Sequence, residues 1–167
     1  EHGVRIPLIM VGPGIAENRR NDAYVYLYDI FPTLCEKVGI DIPESVDGKS
    51  FLELLDGEHG EHFRDELYLI FDNFVRGVKD ESYKLIEYRT DRLKLTQLFD
   101  LEKDPYERYN FYDFNGYDEI VERLRNRMKE YRIEWNEDCH IYGRQFWEQY
   151  EKYEAAEVHG VDKPKGA

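Results

Sequence analysis

The sequence is short of positive charge, with 23 Lys and Arg residues against 36 Asp and Glu residues and a formal net charge of −13. A field of that sign disfavours nonspecific binding to nucleic acid or to anionic lipid. Long apolar runs are also missing, since none approaches the ~18 residues that a membrane-spanning helix needs. Neither a nucleic acid nor a membrane span is therefore expected.

Cysteine is scarce as well, with two residues in a chain of 167. Cys35 and Cys139 have the spacing of neither a disulfide framework nor a metal site. Cys35 falls within an apolar helical pattern, which favours a small core residue. The spacing leaves open whether the two cysteines are bridged.

Motifs for complete catalytic sites are missing too. There is no G-x-S-x-G elbow for a serine nucleophile, and the G-P-G at positions 12–14 lacks the lysine of a phosphate-binding loop. Asp29 is interpreted as a helix cap, and Asp104-Pro105 is typical of a turn. Asp29, Asp100 and Asp104 therefore do not indicate the paired carboxylates that two-carboxylate catalysis requires. The residues alone indicate no complete active site.

What is present divides into two unlike parts. The apolar run 4–11 predicts a strand buried on both faces, followed by an amphipathic helix over 28–38 that ends at Gly39, and by a helical turn at 51–55. Alternation then predicts four short antiparallel strands over 66–72, 74–79, 83–89 and 95–101.

A helix beginning near Asp118 follows, with one apolar face to cover the sheet. We therefore predict an α+β fold, in which the last strand and helix of an α/β body precede a four-stranded antiparallel sheet packed with a C-terminal helix. Residues 1–57 would be the C-terminal remnant of a large catalytic domain, 58–153 a small α+β subdomain and 154–167 a flexible tail.

Four segments resemble the sulfatase family, in that family's order. They are E-H-G-V-R-I-P-L-I-M-V-G-P-G (1–14), Y-D-I-F-P-T-L-C-E-K-V-G-I-D-I-P (28–43) with V-D-G-K-S-F (46–51), V-R-G-V-K-D-E-S-Y-K-L-I (75–86) and Q-L-F-D-L-E-K-D-P-Y-E-R-Y-N (97–110). The last segment is the most specific. The resemblance covers residues 1 to about 130 and implies the C-terminal region of an arylsulfatase-like member of the alkaline phosphatase superfamily.

The resemblance implies hydrolysis of a sulfate ester, with a sulfated carbohydrate as one substrate class. Its nucleophile would be a formylglycine made from the cysteine or serine of C/S-x-P-x-R, beside a calcium ion. Neither that motif nor the family's metal motifs occur here, so the chain is predicted to be inactive alone and to need an N-terminal catalytic region as its partner. Glu1 leads directly into the predicted strand, which favours an internal start. Location would be periplasmic or secreted.

The resemblance also suggests residues at the substrate edge, while no residue of this chain is assigned a catalytic or metal-binding role. Arg5 and His2 follow the family's active-site lysine position, although Arg5 also fits a structural ion pair. The candidates from the C-terminal part are His59, His62, Asn73 and Arg76, with a solvated loop as the other interpretation of the two histidines.

Two alternatives remain. The parent protein could instead be a phosphonate or phosphodiester hydrolase of the same superfamily. In a different class, the chain could be a standalone binding or assembly module whose tyrosine-rich tail forms an interface.

Overall fold

The computed structural model describes residues 3–56 and 63–158 and separates the chain into two compact units. The first unit ends at Glu66 and the second begins at Leu67, later than the boundary drawn from sequence after residue 57. Arg64 explains the later division, because its guanidinium binds both carboxylate oxygens of Asp29 in the first unit, at 2.7 and 2.9 Å.

The first unit contradicts the predicted strand over residues 4–11. This segment is not a strand, and its apolar side chains are exposed, with Ile6 70%, Ile9 85% and Val11 92% accessible. A strand exists only through hydrogen bonds to a neighbouring strand, and the described residues of this unit contain none. The apolar run is therefore an exposed segment without regular secondary structure.

Helix α1 spans Ile30–Val38, close to the predicted range. Gly39 ends it in the left-handed conformation, at φ 73°, and donates its N–H to carbonyls of the last turn, as predicted. Cys35 is buried as expected, but Phe31 and Val38 on the same helix are more than half exposed. The predicted helical turn near residue 52 is also present, as a 3-10 turn at Leu52–Leu54.

Asp29 precedes α1 but does not cap it through its side chain. Its fully buried carboxylate instead accepts the backbone N–H groups of Tyr26, at 2.7 Å, and Lys49, at 2.9 Å, besides binding Arg64. The Arg64 guanidinium also lies over the rings of Tyr26 and Phe63. The predicted cap is thus the centre of a polar clamp that joins three separate segments.

The second unit contains the predicted antiparallel sheet, with strand order β1-β2-β3-β4. Its strands are Leu67–Phe71 (β1), Val75–Lys79 (β2), Tyr83–Arg89 (β3) and Lys94–Asp100 (β4). The connections are short polar turns: Asp80 Oδ1 accepts the N–H groups of Ser82 and Tyr83, and Thr90 Oγ1 accepts those of Arg92 and Leu93. Each strand pairs with its neighbour in sequence, as the alternation predicted.

The segment after β4, which carries the most specific sulfatase-like motif, is structural. Asp104 Oδ2 accepts the N–H groups of Arg108 and Tyr109, which confirms the predicted turn. Asn110 then returns to β4, accepting the N–H of Leu98 at 2.8 Å and donating to the carbonyl of Thr96 at 3.0 Å. The aspartate and asparagine of this motif therefore fix the path of the chain along the sheet edge.

Two helices cover one face of the sheet. Helix α2, Asp118–Glu134, buries the predicted apolar stripe, including Val121, Leu124 and Met128. Helix α3, Ile141–Val158, was not predicted, and it extends through residues that the sequence assigned to a flexible tail. Its aromatic residues are nonetheless central to the core, which contains Tyr68, Val78, Leu85, Leu98, Tyr117, Val121, Leu124, Met128, Tyr131, Phe146, Trp147 and Tyr150.

Gly143 allows α3 to pack closely on the 3-10 turn Glu137–Cys139 that precedes it. A Cβ at position 143 would stand 2.1 Å from the Glu137 carbonyl oxygen, far inside any real contact. Within the described ranges, no helix combines the length and apolar character needed to cross a bilayer. Cys35 and Cys139 are both free thiols, which settles the question that their spacing left open.

Candidate functional site

A cleft of about 300 Å³ lies where the β1–β2 turn, the end of β3 and helix α3 meet. Its lining residues are Asn73, Phe74, Arg89, Thr90, Asp91, Gln145, Glu148 and Gln149. The Asn73 Nδ2 group donates to Gln145 Oε1 at 2.8 Å and so links the turn to the helix. One of the predicted substrate-edge residues, Asn73, therefore lines a cleft, and its contact with substrate stays a prediction.

Arg76, another predicted edge residue, lies beneath the helices with 1% of its surface exposed. Its Nε donates to Glu137 Oε2 at 2.7 Å, and a short hydrogen bond from the Tyr68 hydroxyl occupies Glu137 Oε1. Burial, followed by the negative charge of Glu137, raises the pKa of Tyr68. Arg76 would have to leave Glu137 to reach a ligand, and its role at a substrate edge stays a prediction.

A second buried cluster surrounds Glu87, which is fully inaccessible. Its carboxylate lies 2.6 Å from Arg89 Nη2 and 2.7 Å from Arg125 Nε, and it also accepts a hydrogen bond from Thr96 Oγ1 at 2.6 Å. The nearby Tyr150 hydroxyl is buried without a partner among the described residues. Burial first, and then Glu87, raise the pKa of Tyr150. These contacts neutralise Glu87 and fix Arg89 at the cleft.

Asp100, at the end of β4, forms a third cluster. Its carboxylate accepts hydrogen bonds from the Tyr117 hydroxyl, at 2.8 Å, and from the Lys103 backbone, at 2.9 Å, and lies 3.0 Å from Lys103 Nζ. Burial alone would raise the pKa of Asp100, but the hydrogen bonds from Lys103 and Tyr117 outweigh it and hold this pKa below its ordinary value. The arrangement stabilises the turn that follows β4.

Among the remaining sequence candidates, the structure describes Arg5, which belongs to the first unit. Arg5 is exposed and lies 3.8 Å from the exposed Asp22, so this ion pair contributes little. His2, His59 and His62 lie outside the residues that the structure describes, and their roles stay predictions.

No metal site is formed by residues 3–56 and 63–158, because no three His, Cys, Asp or Glu side chains there are placed to hold an ion. The described residues thus do not provide a ligand set for the calcium that the family resemblance implies. Calcium in a longer parent protein stays a prediction.

Several residues that shape the cleft escaped the sequence analysis. The alternating pattern of β3 does not distinguish Arg89 from other polar residues of the strand. Gln145 and Gln149 belong to the helix that was not predicted. A signal was available in the spacing of Phe146, Trp147 and Tyr150, which places three aromatic rings on one side of a helix. That pattern would have located α3 and hence the two glutamines.

The α+β fold of the chain is shared with solved structures of sulfatase-like hydrolases. A candidate sulfatase of Bacteroides thetaiotaomicron matches with a TM-score of 0.61 and 26% identity, over 74% of this chain and 28% of that one. A phosphonate monoester hydrolase of Agrobacterium radiobacter matches with a TM-score of 0.54 and 25% identity, over 64% of this chain and 24% of that one.

The chain belongs to the family described as N-sulphoglucosamine sulphohydrolase, C-terminal, whose model matches residues 1–134. Among curated relatives, arylsulfatase K of Mus musculus is 32% identical over 121 residues, which is 66% of this chain and 22% of that protein. The chain thus spans about a quarter of the length of the proteins it matches. The sulfatase resemblance drawn from the motifs is confirmed.

Proposed function

We propose that this chain is the C-terminal region of a sulfuric ester hydrolase that acts on a sulfated carbohydrate. The observation that carries the proposal is the family match over residues 1–134. The description of that family names a sulfated amino sugar, N-sulphoglucosamine, as the substrate. In this proposal the chain shapes the protein around the reaction, and the reacting groups lie in a region encoded before Glu1. Calcium and formylglycine would be supplied there.

The exposed segment 4–11 supports the proposal that this chain packs against an upstream region. Its aliphatic side chains are accessible, and its backbone forms no ladder with the described residues. An apolar segment of this kind is stable as a strand only when another strand pairs with it. We propose that the upstream region provides that strand. Hydrogen exchange should then be slow at 4–11 in the longer protein and fast in the 167-residue chain.

The decisive experiment joins genetics to an activity assay. The reading frame before Glu1 should encode C/S-x-P-x-R, and the longer protein should hydrolyse p-nitrophenyl sulfate. Replacing the cysteine or serine of that motif with alanine should abolish turnover, and the 167-residue chain alone should show none. Turnover by the chain alone would contradict the proposed inactivity, while an upstream region without the motif would contradict the sulfatase assignment.

A phosphonate monoester hydrolase is the second candidate, because the Agrobacterium radiobacter enzyme shares this fold at 25% identity. The same longer protein can be assayed with p-nitrophenyl phenylphosphonate beside p-nitrophenyl sulfate. The larger kcat/KM identifies the ester class, since selection between substrates follows that ratio.

A further inference from the structure

The turn that leads into helix α2 contains the one Asn-Gly pair of the chain, Asn115-Gly116. Both residues are exposed, and neither belongs to a helix or a strand. Asparagine is a thermolabile residue because its side-chain amide can react with the backbone nitrogen of the residue that follows it. A glycine in that position has no Cβ to hinder the approach. Asn115 therefore has the sequence context in which this reaction is easiest.

No hydrogen bond among the described residues restrains the two reacting groups. The Asn115 side chain makes none there, and the Gly116 N–H donates to no backbone carbonyl. Gly116 has a φ of 90°, and a Cβ built on it would meet no atom within 4 Å, so the space around this backbone is open. Asn110 differs, because its amide accepts the Leu98 N–H and donates to the Thr96 carbonyl. Asn115 can thus rotate into the reactive geometry, whereas Asn110 is held.

We propose that Asn115 is a site of spontaneous deamidation. The Gly116 nitrogen attacks Asn115 Cγ, so that a new N–C bond forms and the bond between Cγ and Nδ2 breaks. The departing amide takes up the Gly116 proton and leaves as ammonia. Water then opens the cyclic imide at either carbonyl, which produces an aspartate or an isoaspartate at position 115. Each event adds one negative charge to a chain whose net charge is already −13.

The isoaspartate form also changes the backbone at the start of α2. Its main chain is longer by one carbon in the link between positions 115 and 116, directly ahead of Tyr117. The buried Tyr117 fastens this end of the helix, because its hydroxyl donates to Asp100 at 2.8 Å and accepts from Lys103 Nζ at 2.8 Å. The Tyr117 carbonyl also accepts the Val121 N–H at 2.9 Å. We therefore expect isoaspartate formation to loosen the first turn of α2.

The test is incubation of the 167-residue chain at physiological temperature, near neutral pH and at about pH 9, because the attacking nitrogen must lose its proton and the rate should rise with pH. Peptide mapping by mass spectrometry then separates asparagine, aspartate and isoaspartate at each position. Position 115 should convert at least about tenfold faster than any other asparagine, which corresponds to a barrier lower by about 1.4 kcal/mol.

Asn115→Gln keeps the amide but lengthens the side chain by one methylene, so that attack would close a larger ring more slowly. This variant should lose most of the early ammonia release. Asn126→Gln is the matched control, because Asn126 is exposed and precedes an arginine, and it should release ammonia at the parent rate. Unchanged tryptophan fluorescence would show that both variants are folded.

Hydrogen exchange tests the effect on the helix. Amides in the first turn of α2 should exchange faster in the incubated chain than in the fresh one, and incubated Asn115→Gln should keep the slower rate.

Earlier conversion at another asparagine, or equal ammonia release from Asn115→Gln and the parent chain, would overturn the site. Isoaspartate at position 115 with unchanged exchange in the first turn of α2 would overturn its effect on the helix. Both results are independent of the proposed function, since the reaction needs only these two residues and water.

Discussion

The two units of the chain are stabilised by different means. The second unit, from Leu67 onward, closes a hydrophobic core between one sheet face and two helices, and Leu85, Leu98 and Leu124 are fully inaccessible there. The first unit leaves much of its aliphatic surface exposed and is organised around the polar clamp of Asp29 and Arg64. Elements that pack against each other within the chain can be predicted from its sequence. An apolar segment becomes a strand only when a second strand pairs with it, so its sequence alone does not decide its structure.

The largest loss of stability is expected from removing the carboxylate that pairs with Arg76. Glu137→Ala leaves a buried guanidinium and the Tyr68 hydroxyl without their partner, so the free energy of unfolding of the second unit should fall by about 3–5 kcal/mol. Urea titration followed by tryptophan fluorescence measures this, because Trp135 and Trp147 both lie in the second unit.

The control for this change is Glu134→Ala. Glu134 is half exposed and lies 3.4 Å from Arg127, so its removal should cost less than about 1 kcal/mol. Equal losses in the two variants would show that the buried ion pair is no more important than a surface contact.

A comparison of large-to-small substitutions addresses the two units directly. Leu124→Ala should lower the stability of the second unit by about 2–5 kcal/mol, since it opens a cavity in a closed core. Phe31→Ala, at a position 53% exposed in the first unit, should change stability by less than about 0.5 kcal/mol. A large effect of Phe31→Ala would show that the first unit has a core of its own.

The clamp in the first unit should be its most sensitive point. Asp29→Asn weakens the charged hydrogen bonds to Arg64, and we expect a loss of about 1.5–3 kcal/mol. The buried thiol of Cys35 reports on this unit, so its rate of reaction with a thiol reagent should increase in the variant. Cys139→Ser is the background for the assay, because the exposed Cys139 reacts in any state.

The smallest expected effect is a dependence on pH in the second unit. The folded pKa of Asp100 is below its unfolded value, so its contribution is complete above about pH 4, near the ordinary aspartate pKa, and is lost as the pH falls through the folded pKa. Asp100→Asn should therefore show a shallower loss of stability on acidification, measured by urea titration at each pH. The exposed Asp91→Asn should retain the parent slope.

Much of the second unit could be predicted because its patterns are local. Alternation located all four strands, and the stripe around Leu124 located α2. Helix α3 was missed because its aromatic residues Phe146, Trp147 and Tyr150 are interspersed with charged residues. Gly143 near its start also argues against a helix, and the close packing on Glu137 that requires this glycine is visible only in the structure. The cleft was missed with it, since Arg89 and Gln149 come from elements far apart in sequence.

The prediction of a strand at 4–11 was wrong because its formation does not depend on local pattern alone. The apolar composition of that segment is typical of a buried strand, but strand structure depends on hydrogen bonds to a second segment, and composition carries no information on whether that segment is present.

The order of strands in the sheet also has a kinetic consequence. Since β1, β2, β3 and β4 pair only with their neighbours in sequence, each hairpin closes across a short turn, and little chain entropy is lost before its contacts form. We therefore expect the three hairpins to assemble successively, with the docking of α2 and α3 onto the sheet as the later step that joins distant parts of the unit. Refolding of the second unit should then be limited by that long-range closure, and not by the pairing of its strands.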